Sequence, residues 1–282
     1  MYRPTGPLTI RNMTRDEVGT AVEWADKEGW NPGLHDAEAF YDAAPTAFYA
    51  GEIAGEMISS VSLIDYPGDL SFFGFNIVRK DMRGLGIGRR MVEHVLDKGK
   101  GRNIGADGVP HLLPHYQRMG FRPVYWNHRF RGWGGGDHDP DLVLGTEIPW
   151  DELSAYDARI FSAPRKDFLK SFLSQEGTTV LVSLQEETIA GYGAIRPCRT
   201  GHKIGPLFAD NRRTAEKVLR GLISTIPGEK YLLDVTDFNH EGMTLANILH
   251  LAEVFRTVRI YTKDPPAVQL DHVFGVSSFE MG

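Results

Sequence analysis

Apolar positions along the chain switch repeatedly between helical and extended spacing. Thr14-Arg15-Asp16-Glu17 has the form of a capping box, and Val18, Ala21, Val22 and Ala25 then recur at helical spacing. A second short helix is expected around residues 37–41, and strands over 47–50, 54–64 and 70–78. Ile87, Met91, Val92 and Val95 mark another helical face, followed by a strand near 103–109, a helix carrying Tyr116 and a strand near 124–130. The expected order over this half is ααβββαβαβ.

A glycine-rich run at 132–136 and an acidic stretch at 137–141 interrupt the pattern, which then resumes. Leu153, Tyr156, Asp157 and Ile160 begin a helix, and Pro164 is expected at the first position of the next. Strands over 178–184 and 188–195 flank Gln185-Glu186-Glu187 as a hairpin. A strand over 203–208 precedes a helix with Ala215, Val218, Leu219 and Leu222 on one face. A strand at 231–235, a helix through 245–251 and strands at 258–261 and 273–279 complete the half. Phe121-Arg122-Pro123-Val124 aligns with Phe255-Arg256-Thr257-Val258, a weak internal repeat that sets His250 against Tyr116 and Val254 against Gly120. Two domains are therefore expected, 1–136 and 137–282.

Composition changes this picture little. A chain of 282 residues is comfortable for two domains, and 41% hydrophobic with 24% charged residues is ordinary for a soluble globular protein. The single cysteine, Cys198, excludes an internal disulfide and suits a reducing compartment, so a cytoplasmic location is expected. No apolar run is long enough to predict a membrane span, and a formal charge of −6 argues against nucleic acid as the main partner. His111 and His115 stand four apart but lack a third ligand, so no metal is expected.

The chemistry concentrates at Arg83-Gly84-Leu85-Gly86-Ile87-Gly88, which follows the apolar run 72–78 and opens a helix. A glycine-rich turn at a strand-to-helix junction aims backbone N–H groups at one point beside the positive end of the helix dipole, an arrangement that binds phosphate. A tight turn without a ligand is the plainer alternative. The dinucleotide fingerprint needs Gly-x-Gly-x-x-Gly near the start of a fold, and a Walker loop ends Gly-Lys-Ser/Thr; this loop does neither. It matches Arg/Gln-x-x-Gly-x-Gly/Ala at Arg83, Gly86 and Gly88. Twenty-eight residues on, Tyr116-Gln117-Arg118-Met119-Gly120-Phe121 has the form Tyr-x-x-x-Gly-Phe, with Gly120 placed to end a helix.

Over roughly residues 8–132 the chain resembles the GCN5-related N-acetyltransferase superfamily, and the whole resembles a tandem form with a divergent second domain. The resemblance implies two acetyltransferase-type α/β domains, each a central, mostly antiparallel sheet flanked by helices. It implies acetyl transfer from acetyl-CoA to an amine of a small molecule or protein by direct attack in a ternary complex. Asn76, Ile77 and Val78 would line the pantetheine arm, and Arg83, Gly84, Leu85, Gly86, Ile87, Gly88 and Arg89 the pyrophosphate. Tyr116 would protonate the leaving thiolate, unless it is a core tyrosine satisfied by backbone. Asp107 is the candidate base, with a satisfied turn carboxylate as the other reading. Glu28, Trp30, Asn31 and Asp36 would face the acceptor, although Asn31-Pro32-Gly33 also reads as simple turn chemistry. Phe72, Phe73 and Phe75 favour a short acyl group. The second half lacks the glycine loop: Asp210 and Asn211 stand there as a helix cap. An acyl-CoA-responsive binding module is the alternative to an enzyme. Either a monomer or a homodimer fits.

Overall fold

A computed structural model describes residues 3–161 and 163–282. The first half runs β1 (Thr9–Asn12), α1 (Arg15–Lys27), α2 (Asp36–Ala43), β2 (Phe48–Ile53), β3 (Glu56–Asp65), β4 (Leu70–Val78), α3 (Ile87–Lys98), β5 (Asn103–Gly108), α4 (Leu113–Arg118) and β6 (Arg122–Trp133). The second runs β7 (Leu142–Leu144), α5 (Trp150–Phe161), α6 (Lys166–Leu173), β8 (Thr179–Gln185), β9 (Thr188–Pro197), β10 (His202–Ala209), α7 (Arg212–Ser224), β11 (Lys230–Thr236), α8 (His240–Ile248), β12 (Ala252–Tyr261) and β13 (Val273–Gly275). The expected order holds, with β1 added at the start of the first half and β7 at the start of the second.

Local rules explain most boundaries. Thr14 and Glu17 close the capping box, and Val18, Ala21, Val22 and Ala25 are the buried stripe of α1. Glu186 and Glu187 both adopt positive φ, as a tight two-residue turn between β8 and β9 demands. Pro164 is not inside a helix: Arg165 is the N-cap of α6, and the proline stands just outside. The last expected strand is cut to three residues, Val273–Gly275.

All strands join one sheet, ordered β1-β2-β3-β4-β5-β12-β6-β11-β10-β9-β8-β7, with β13 paired to β10. The halves thus exchange their long last strands: β12 lies on β5, and β6 lies on β11. Where these two strands meet they pair antiparallel, with Asn127 opposite Thr257, 130 residues apart. The helix ends keep that offset. Gly120 and His250 each take positive φ after their helix, and Phe121 and Leu251 bond back to the carbonyls of Tyr116 and Ala246. The repeat register expected from the sequence was therefore four residues out. Tyr116 has Ala246 as its counterpart, not His250.

Helices α1, α2, α5 and α6 share one core on one face, where Phe40 stacks on Phe172. On the other face α3 and α4 cover one half, and α7 and α8 the other. Buried ion pairs rivet the halves together: Asp36–Arg196, Asp107–Arg259 and Arg129–Asp234.

Candidate active site

Strands β4 and β5 run parallel and paired from Leu70 opposite Asn103 to Phe73 opposite Ala106, and then part. At the parting point β4 bulges. Ser60 faces Ile77 and Ser62 faces Gly74, leaving Phe75 and Asn76 opposite Val61 alone, and Phe75 takes positive φ. A bulge beside a fork re-aims backbone and side chains together. The fork holds a small cavity of about 50 Å³ whose wall includes Trp30, Phe75, Asn76, Tyr116, Phe255 and Glu280.

The glycine loop stands at the outer end of β4. Gly84 and Gly86 have φ of +82° and +75°, where a side chain would be strained, and Gly86 is the N-cap of α3. No side chain caps that helix, so its first N–H groups face outward, and its first turn holds no acidic residue. The corresponding α7 is different: Asn211 accepts from the Thr214 N–H, as expected. Arg83 braces the loop, donating to the Val78 carbonyl (2.9 Å) and to Glu28 (2.5 Å). Arg89 pairs with Glu93 on the exposed face of α3. Arg83 and Glu28 also border an open cleft of about 630 Å³ against α1, with Trp24, Ile77 and Val78.

Inside the fork, Tyr116 is buried, in edge contact with Phe73 and Phe121. Burial pushes its pKa above the ordinary value of 10, and the Asn76 side chain pulls it back in part. Asn76 Oδ1 is buried with no hydrogen-bond partner among the described residues. Such an atom at the floor of a fork is consistent with a polar ligand group reaching it.

In the second half the equivalent fork is closed. β10 and β11 pair from His202 opposite Tyr231 to Ile204 opposite Leu233, and β13 then wedges between them. A Cβ on Gly275 would come within 2.9 Å of both Leu207 and Leu233, and the Val276 N–H donates to the Asp234 carbonyl.

The family models for acetyltransferases match on both sides of this arrangement. The GNAT acetyltransferase family matches residues 12–121 and the GNAT acetyltransferase domain 153–275, together most of the chain. The chain belongs to the GCN5-related N-acetyltransferase superfamily. It is a tandem member and an acyltransferase. A holothin acyltransferase from Pseudoalteromonas sp. (strain SANK 73390) is 28% identical over 97% of this chain and 94% of its own. Two solved structures share the fold. A candidate acetyltransferase from Pyrococcus horikoshii has a TM-score of 0.82 at 20% identity, covering 98% of this chain and 96% of its own. A tandem GNAT protein from the clavulanic acid biosynthesis pathway has a TM-score of 0.63 at 13% identity, covering 92% and 100%.

Several residues expected in this acetyltransferase site are engaged elsewhere. Asp107 borders the fork, but its Oδ1 accepts from Asn127 (2.7 Å) and Arg259 (3.1 Å), and its Oδ2 from Arg259 again (2.7 Å). A carboxylate so clamped is poorly placed to take a substrate proton. Asp36 is buried and bonds Arg196, the Gly33 N–H and Gln175, which leaves no face for an acceptor. Asn31, in a left-handed turn, clips the α1–α2 loop to the second half through the Thr200 N–H and carbonyl. Glu28 pairs with Arg83 in the outer cleft, whereas Trp30 does reach the fork. Phe73 and Phe75 line the fork, while Phe72 turns to the opposite cavity and lies under Arg259. Phe255, Thr257, Phe279 and Glu280 were missed because they enter from the second half. Among the described residues no group of three or more metal-binding side chains occurs, and no helix is long and apolar enough to cross a membrane.

Proposed function

We propose that this protein transfers an acetyl group from acetyl-CoA to a primary amine of a small molecule, in a ternary complex, at one site in segment 1–136. One observation carries the reading: an uncapped, left-handed glycine turn leads to a fork floored by Tyr116 and by Asn76, whose Oδ1 has no hydrogen-bond partner among the described residues. Loop residues 83–88 fit a pyrophosphate, and the β4 edge at Asn76, Ile77 and Val78, unpaired to β5, fits a pantetheine arm. The small fork suits acetyl better than a long acyl chain. The relative named for holothin makes that compound the first acceptor to try. Segment 137–282 carries a capped helix and a filled fork in the matching places, which supports a role other than acyl-CoA binding.

Acyl-CoA supplies an activated thioester carbonyl; the rest falls to the chain. Only roughly one amine in 2,500 is neutral at pH 7 for a pKa of ~10.4, so a proton must leave before attack. Backbone donors where β4 departs from β5 are placed to stabilise the oxyanion. Tyr116, kept protonated by burial, donates to the departing thiolate. The test is Tyr116→Phe. Amine-dependent CoA release should fall roughly 100-fold with acetyl-CoA affinity unchanged. Unchanged turnover across pH 6–9 would remove Tyr116 from the chemistry.

A further inference from the structure

The last ten residues of the chain serve both halves. β13 seals the second fork, and the segment beyond it runs across to the first. There a Cβ on Gly74 would come within 2.6 Å of the Glu280 carbonyl, so only glycine at 74 lets the tail lie this close to β4. The contact brings Glu280 to the cavity wall that holds Trp30, Asn76 and Tyr116.

Two carboxylates border that cavity, and they differ in what holds them. Asp107 is taken by Arg259 and Asn127. Glu280 is buried too, yet its bonds are local: Ser278 Oγ donates to its Oε2 (2.6 Å) and accepts from its own N–H (3.0 Å). The cations that surround it have other partners. Arg129 is paired with Asp234, Arg196 with Asp36, and Lys203 donates to the Trp30 carbonyl. From β5, β6, β9, β10 and α4, the ionisable groups that face this region are Asp107, Arg129, Arg196, Lys203 and Tyr116. Arg129, Arg196 and Lys203 attract Glu280 electrostatically, but among the described residues its carboxylate is hydrogen-bonded only by Ser278, which leaves lone pairs for a cationic ligand at the cavity wall.

We propose that Glu280, delivered by the C-terminal tail, receives the acceptor's ammonium group and takes its proton. This rests on the amine-acetyltransferase reading above. The ammonium gives one proton to the Glu280 carboxylate. The freed lone pair forms the C–N bond, and the C–S bond breaks. Tyr116 protonates the thiolate, and the second nitrogen proton restores the phenol. Glu280 then passes its proton to solvent, so one proton is released per turnover. The step makes the second half part of the first half's active site.

The experiment compares wild type with Glu280→Gln and Glu280→Asp across pH 6.5–10. Its probes are acetyl-CoA and holothin, putrescine and a lysine-containing peptide, read by CoA release and by calorimetry with acetyl-CoA. At pH 7, Glu280→Gln should lose about 20-fold or more in kcat/KM for the best amine, and the gap should close toward pH 10 as the amine sheds its own proton. Glu280→Asp should fall between, and acetyl-CoA affinity should stay within about two-fold in both. A Gln variant as active as wild type at pH 7, or one equally weakened at every pH, overturns the assignment while leaving acetyl transfer intact. A wild type that binds acetyl-CoA yet releases CoA with none of the amines overturns the enzyme reading and the role of Glu280 with it.

Discussion

Burial is the force that sorts the ionisable residues of this protein. It raises the pKa of Tyr116, so the phenol stays protonated through the neutral range, and if Tyr116 is the proton donor proposed above, activity should hold to high pH. It lowers Lys203 to about 8 from 10.5. Below about pH 8 that lysine is charged in both folded and unfolded states and adds no slope. Between about 8 and 10.5 only the unfolded state holds the proton, so stability rises with pH by about 1.4 kcal/mol per unit of separation. Chemical denaturation from pH 7 to 10 should show this rise, and Lys203→Met should flatten it. Arg259→Leu should cost about 3–5 kcal/mol, because it strands Asp107 without its partner. The glycine turn that opens α3 and the helix that carries Tyr116 were legible because their motifs are contiguous. The ion pairs that occupy Asp36 and Asp107 were not legible, because Arg196 and Arg259 stand 160 and 152 residues away with no local signature of pairing.

At the scale of elements, two helix starts in matching places of the halves differ in both backbone and cap. α3 begins at a left-handed glycine and leaves its N–H groups open; α7 begins at Asn211 and closes them. Asn211→Ala should cost about 1 kcal/mol in thermal unfolding and leave acyl transfer alone. Gly86→Val should act on both, costing about 1–2 kcal/mol of stability through strain at positive φ and weakening acetyl-CoA binding by about ten-fold or more. Most elements were readable from apolar spacing alone. The slip came in the repeat register, where Phe-Arg recurs by coincidence four residues from the true correspondence. The hydrogen bonds that end α4 and α8 reveal the offset, and sequence spacing does not contain them. The placement of β13 and of the tail after it was equally hidden, since Val273–Gly275 reads as an ordinary strand whichever fork it fills.

The whole molecule is more unified than two tandem domains suggest. β6 and β12 cross between halves, α2 packs on α6, and three buried Arg–Asp pairs span the junction. Nothing in strand patterning distinguishes a last strand that stays from one that crosses, so the exchange was invisible in the sequence. It explains how a half with a closed fork is retained: it supplies β12 to the β5 edge and Phe255, Phe279 and Glu280 to the first site. One open fork and one glycine loop predict a single acyl-CoA site per chain. Calorimetric titration of the intact protein with acetyl-CoA, beside an Arg83→Ala/Gly86→Val variant, measures it directly. One molecule bound per chain, with binding lost in the variant, is the predicted result. Two per chain, binding that survives the variant, or none at all would contradict it.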